Sequence, residues 1–213
     1  QYTSGEMMRT RNFYLLLATM FFGLISYFMV SPVSQTHQID LGIPSAVAVS
    51  AVMLGSIVNA GARLVLPTLA DKVGRIVCIK GVLIVAVIAM GVLAVSRSLA
   101  VTVAVVLMYG CYGGIMGSFP SLTSSIFGMK HTGENYGFVM FGIVFATFGA
   151  PAISGLVSSN GYEMNVVFGI GAVFAVIAFV CLTLLGRNLV KEHAEKSVGA
   201  KKGTAQVRKP QAE

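Results

Sequence analysis

Six stretches of mainly apolar residues run along the chain, separated by short polar segments: Phe13–Val33, Ser45–Ala70, Ile76–Val95, Leu99–Phe119, Tyr136–Val157 and Val166–Gly186. Crossing the hydrocarbon of a bilayer takes about 20 residues of α-helix at about 1.5 Å per residue. Barrel strands would alternate polar and apolar positions over about 10 residues. These runs do not alternate, and they are rich in Gly and Ala, which lets helices approach closely within lipid. The pattern predicts an all-α membrane protein with six transmembrane helices.

Composition agrees. Of the 213 residues, 55% are hydrophobic and 11% charged, with a mean hydropathy of +0.81. Soluble domains carry about 25% charged residues, so this surface is built for lipid. The polar start on Gln1 shows no cleavable signal, and we expect a fragment or a processed chain. The positive charges set an orientation. Between the odd-to-even spans the loops hold one of them, Arg97. The other side holds Arg9, Arg11, Lys72, Arg75, Lys80 and Lys130, and the tail adds Arg187, Lys191, Lys196, Lys201, Lys202, Arg208 and Lys209. The positive-inside rule then places both termini in the cytoplasm, in a plasma or bacterial inner membrane. The net charge of +7 follows from this topology. The basic tail lacks the aromatic interleaving of a nucleic-acid surface, so no nucleic-acid partner is expected. The tail from Asn188 to Glu213 reads as disordered.

One positive charge is left over. Arg63 lies inside the second span, eight residues before Asp71, and is the one permanently charged group deep in a span. Placing Arg near a helix centre costs about 2.5–3.5 kcal/mol on insertion scales. Snorkelling is the competing explanation, but Asp71 lies about 12 Å away along the helix, and an Arg side chain covers only part of that. An anion site explains the charge better. Ser56, Asn59 and Arg63 recur at helical spacing on one face. The guanidinium fork suits a carboxylate, and Asn59 can add a donor or serve as an interhelical hydrogen bond. Gly55, Ala60 and Gly61 are expected to keep other faces of this helix slim for packing.

The span ends in "LPTLADKVGR", which resembles the loop signature G-x-x-x-D-K/R-x-G-R of the major facilitator superfamily: Asp71, Lys72, Gly74 and Arg75 match, and Pro67 stands where the first Gly is usual. The resemblance extends over nearly all of Ser4 to Gly186. "SGEMMRTRNFYLLLATMFF" is similar to the entry to helix seven of the oxalate/formate antiporter family within that superfamily. "NAGAR", "GSFPSLTSSIFG" and "ENYGF" resemble its helices eight, ten and eleven, in order. The resemblance implies helices seven to twelve of a twelve-helix transporter. Residues 1–12 would end the central cytoplasmic loop, 13–186 would form a bundle of two inverted three-helix repeats, and 187–213 would be the tail. The partner would be a missing N-terminal six-helix half.

The same resemblance implies roles for particular residues. Arg63 falls on the arginine that binds substrate carboxylate, and Asn59 on a position that contributes to the pocket. In some proton-coupled relatives an acid precedes that arginine by one turn, where this chain has Asn59. Tyr112 falls on an aromatic that closes on substrate, with Met116 one turn on. Ile143 replaces the lysine that oxalate-type members use as a second cation. Asp71, Lys72, Gly74 and Arg75 would govern conformational switching.

Other candidates rest on less. Tyr109, Tyr112 and Met116 share a helix face that can equally be packing. Tyr27 and Ser31 are possible pocket residues, and Pro120 is expected to kink the fourth span. Cys78, Cys111 and Cys181 show no disulfide or metal spacing. His37, His131 and His193 are read as lying outside the spans, so no proton relay is visible. No nucleophile–base pair or phosphate loop appears, and neither enzyme chemistry nor a cofactor or metal is expected. The resulting expectation is a secondary transporter of small organic carboxylates across the bilayer, exchanging monocarboxylates. Proton-coupled symport of lactate- or pyruvate-like acids is the alternative. A non-transporting membrane sensor with the same fold is the alternative of another class.

Overall fold

A computed structural model describes the backbone of residues 1–207 and the side chains of residues 1–192 and 194. Among the described residues the regular structure is helical: α1 Ser4–Met8, α2 Arg11–Val30, a 3₁₀ turn Ser31–Val33, α3 Ser34–Asp40, α4 Ser45–Val73, α5 Arg75–Val95, α6 Ala100–Phe127, α7 Thr132–Val139, α8 Phe141–Ser159 and α9 Met164–Val207. Six stretches are long and apolar enough to cross a membrane: Arg11–Asp40, Ser45–Val73, Arg75–Val95, Ala100–Phe127, Thr132–Ser159 and Met164–Glu192.

Helix ends follow local chemistry. At the start, the Thr3 backbone N–H donates to the Glu6 carboxylate at 2.9 Å, which holds that carboxyl below its ordinary range. The Thr10 hydroxyl accepts from the Phe13 N–H and opens α2. Gly74, at φ +107°, ends α4 and begins α5, a backbone state that side-chain-bearing residues rarely adopt.

Three expectations change. The first span does not stop at Val33: α2 runs through the 3₁₀ turn into α3, ending at Asp40. His37 therefore belongs to the span and is only 8% exposed, with its ring packed edge-on against Phe168. The fourth span passes Pro120 without interruption and reaches Phe127. The last helix continues past Asn188, where a disordered tail was expected, because the Asn12 amide donates to Glu192 at 2.8 Å and ties α9 to α2. The side chain of His193 and residues 208–213, including Arg208 and Lys209, lie outside the described residues.

Packing reveals an internal repeat. α2 packs on α8 and α9, while α6 packs on α4 and α5. Exchanging the trio α2, α4, α5 for α6, α8, α9 maps each of these pairings onto another. The α2–α6 and α5–α9 contacts map onto themselves. Three spans per repeat is an odd number, so the second repeat enters the membrane from the side opposite to the first. The arrangement is half of a major-facilitator-type fold, with two inverted repeats.

The core lies where α2, α5, α6 and α9 meet, filled by Leu24, Ile25, Leu83, Met90, Phe119 and Phe168. By contrast α4 buries only Ala48, Ala51, Gly55 and Ala70, and α8 only Gly142, Ala146 and Ala150. These two helices press small residues inward and leave large ones such as Ile57, Leu64 and Phe148 exposed. The open face of α4 is where the charged site is found.

Candidate functional site

The site begins with a close approach of α4 to α6. Glycines 110, 113, 114 and 117 form a stripe on α6 against Val58, Asn59, Leu66 and Arg63 of α4. A methyl group on Gly113 would collide with the Asn59 carbonyl oxygen. One on Gly117 would stand 2.8 Å from the Arg63 carbonyl oxygen and 3.2 Å from Pro67 Cγ. Pro67 thus keeps the close packing that the usual Gly would give, because the small residue is supplied by α6. Gly55 behaves as expected, since a methyl there would sit 2.9 Å from Tyr109 Cγ. Ala60 and Gly61 do not: both are exposed, with nothing against Gly61.

On this backbone Arg63 points to an open face. Its Nε donates to Asn59 Oδ1 at 3.1 Å, the spacing of one helical turn. That bond fixes the plane of the guanidinium without neutralising it. Among the described residues the ion pairs are Arg75–Asp71, Arg97–Glu163 and His131–Glu134, and none includes Arg63. The Nη groups and the Asn59 amide nitrogen remain as donors, a set matched to a carboxylate. Ser56, on the same face, bonds its own helix instead through the Val52 carbonyl at 2.9 Å.

Aromatic rings sit beside the guanidinium. Its Cζ lies 5.5 Å from the Tyr112 ring centre, within cation–π range. Tyr112 stacks on Tyr27 at 4.2 Å and 14°, and Tyr27 meets Tyr109 edge-on at 5.3 Å. Tyr27, on α2, is therefore part of the site's surroundings, and Tyr109 is a buried support behind it. Ser31 begins the 3₁₀ turn and accepts from the Ser34 hydroxyl through its carbonyl at 3.0 Å. Met116 and Ile143 are half-buried against the apolar core, and neither is joined to Arg63 by a hydrogen bond or ring contact. The three cysteines are free, with Cys78 and Cys111 buried and Cys181 half-buried.

The charged loop is built differently. Arg75 donates from Nε at 3.2 Å and from Nη2 at 3.1 Å, both to Asp71 Oδ1, closing the turn around Gly74. Lys72 is exposed beside them. The loop borders a cavity of about 660 Å³ at the end of the bundle that carries the chain's N-terminus. There the Tyr2 N–H donates to the Phe127 carbonyl at 2.9 Å, and Asn135 donates to the Tyr2 carbonyl at 3.1 Å.

Sequence reasoning missed the glycine stripe, although "GCYGGIMG" at 110–117 carries it at helical spacing. It also missed the burial of His37, which no local pattern announces.

Comparison with known proteins agrees with this architecture. Residues 3–148 match the Major Facilitator Superfamily. The chain is similar to an oxalate:formate antiporter of Oxalobacter formigenes, 26% identical over 187 residues, covering 86% of this chain and 44% of that protein. It is also similar to the uncharacterized MFS-type transporter YhjX of Escherichia coli (strain K12), 32% identical over 144 residues, covering 66% of this chain and 36% of that protein. The chain spans less than half the length of both relatives. A six-span helical half-bundle with inverted repeats and a family match over most of its length belongs to the major facilitator superfamily, as a multi-pass membrane protein.

Proposed function

We propose that the protein is a secondary transporter that exchanges small organic monocarboxylates by alternating access, with Arg63 as the anchor for the substrate carboxylate. The observation that carries this reading is the unneutralised guanidinium of Arg63, oriented by Asn59 and flanked by Tyr112. A charge kept unpaired in a membrane span is costly unless a ligand completes it. Similarity to an oxalate:formate antiporter supports a carboxylate. A six-helix half supplied by a longer chain would close over Arg63 from the opposite side, and rocking of the two halves would expose the site alternately. In the cell membrane, the basic termini and the Asp71–Arg75 loop would face the cytoplasm.

Ile143 favours substrates with a single charge. One guanidinium compensates one carboxylate, and a second left in an apolar cavity costs several kcal/mol. The test is uptake of labelled formate, acetate or lactate into proteoliposomes of the full-length protein preloaded with the same acids, with unlabelled oxalate as competitor. Exchange that oxalate inhibits poorly in wild type, and well in Ile143→Lys, is expected. Oxalate competing as well as the monocarboxylates in wild type would overturn the single-charge assignment. No uptake of any carboxylate would overturn the transport reading and favour a sensor.

A further inference from the structure

His37 is the one imidazole in a span among the described residues, and nothing in the site above uses it. It sits on α3, at the end of the first span opposite the Asp71–Arg75 loop, 8% exposed. Its Nε2 is buried with no hydrogen-bond partner. Phe168 of α9 covers the ring at 4.8 Å and 74°. The charged group acting on it is Asp40, on its own helix. On α6 the titratable Tyr109 reaches α3 one turn away, with its hydroxyl 3.5 Å from the Ser34 hydroxyl. Arg97 and Glu163, the other charges at that end, are exposed and pair with each other at 3.6 Å.

We propose that His37 is a proton-binding site that couples the seal at this end of the bundle to pH, and thereby to the carboxylate site. A proton taken from water onto the ring gives an imidazolium whose Nε2–H meets only packed side chains. Burying an unpaired charge is unfavourable, so the protonated state favours a ring swung away from Phe168 toward water and Asp40.

A line of direct contacts joins this seal to Arg63. α3 is fastened to α6 where Thr102 donates to Gln38 Oε1 at 2.9 Å, with the Gln38 amide on the Ser34 carbonyl at 2.7 Å. The Ser34 hydroxyl lies 3.5 Å from the Tyr109 hydroxyl. Tyr109 then meets Tyr27, which stacks on Tyr112 beneath the guanidinium. Movement of α3 on protonation would shift both fastenings and the ring stack. Coupling of this kind requires an element with two arrangements that both sites bias, here α3 beyond the 3₁₀ turn.

The proposal rests on the transport reading for its coupling, but proton binding can be measured without transport. The experiment takes the purified full-length protein in wild-type, His37→Gln and His37→Phe forms. Thermal unfolding midpoints are measured between about pH 7.5 and 5, the range spanning free imidazole titration. In parallel, exchange of labelled formate or lactate is measured over the same range with the protein oriented in proteoliposomes. Wild type is expected to lose stability as pH falls, because a proton on the packed ring would bury a charge whose Nε2 has no partner. Both variants should lose this component, and the exchange rate of His37→Gln should lose its pH dependence. Equal pH dependence of unfolding in all three proteins would overturn the proton site. Loss of that component with an unchanged exchange profile would overturn the coupling. If wild type exchanges none of the acids but shows the unfolding component, the proton site stands and the carboxylate reading fails.

Discussion

Arg63 and Arg75 stand twelve residues apart, and each donates through Nε to the residue four positions before it. The partner of Arg75 is a carboxylate, and that of Arg63 is an amide. In the loop, Asp71 takes two hydrogen bonds and cancels the charge, so the pair acts as a fastening around Gly74. In the span, Asn59 fixes the plane of the guanidinium and leaves its charge intact. Geometry is nearly conserved between the two while electrostatics are reversed. On the proposed reading, an orienting partner that is neutral leaves the guanidinium free for an anion, and one that is charged makes a latch.

Three changes would break or sharpen this contrast. The largest effect is expected from Arg63 itself. Arg63→Gln should weaken carboxylate binding by roughly a hundredfold, given about 1.5–3 kcal/mol for each hydrogen bond to a charged group. Arg63→Lys should fail nearly as badly, since a point charge cannot offer two parallel donors. Binding of a labelled monocarboxylate to purified protein checks both, and near-normal affinity in Arg63→Gln would remove the guanidinium from the site.

The next test converts one pair into the other. Asn59→Asp gives Arg63 the partner that Arg75 already has. The pair should form as it does in the loop, and carboxylate affinity should fall about tenfold as the guanidinium is neutralised. The variant's affinity should also recover partly at low pH as the new carboxyl is protonated. Affinity unchanged from wild type would show that the free charge of Arg63 does not hold the carboxylate.

The smallest effect is expected at the latch. The Asp71–Arg75 pair is partly exposed, and exposed pairs contribute about 0.2–1 kcal/mol. Asp71→Asn should therefore slow turnover by about two- to fivefold while leaving substrate affinity near wild type. The loop lies on the order of 12 Å from Arg63 by helix rise, beyond direct contact. A large affinity loss at unchanged maximal rate would contradict the division between site and latch.

Much of the candidate site was legible along the chain. Arg63 emerges by subtraction, because every other Lys and Arg lies near a loop, helix end or tail. Asn59 follows from helical spacing, which needs no knowledge of neighbouring helices. Tyr112 was reached only through its resemblance to a family position, and its place beside the guanidinium depends on how far α6 slides along α4. The glycine stripe on α6 sets that register. Each of Gly113 and Gly117 faces backbone of α4 too closely for a side chain.

The sequence alone determined the membrane class, the six spans and the isolated deep charge, because each depends on local composition and the cost of burying polar groups in hydrocarbon. Span boundaries were less secure. The first span's extension through α3 and the persistence of α9 past Asn188 depend on partners more than a hundred residues away, Phe168 for His37 and Asn12 for Glu192. Tertiary structure alone decided which helices share a core, which rings lie under Arg63, and that His37 is buried with an unpartnered nitrogen. Hydrophobicity tells a helix that it must be buried, in lipid or in protein, but does not say against which neighbour. In a chain where nearly every face is apolar, that choice is made by the fit of small residues against large ones across the bundle.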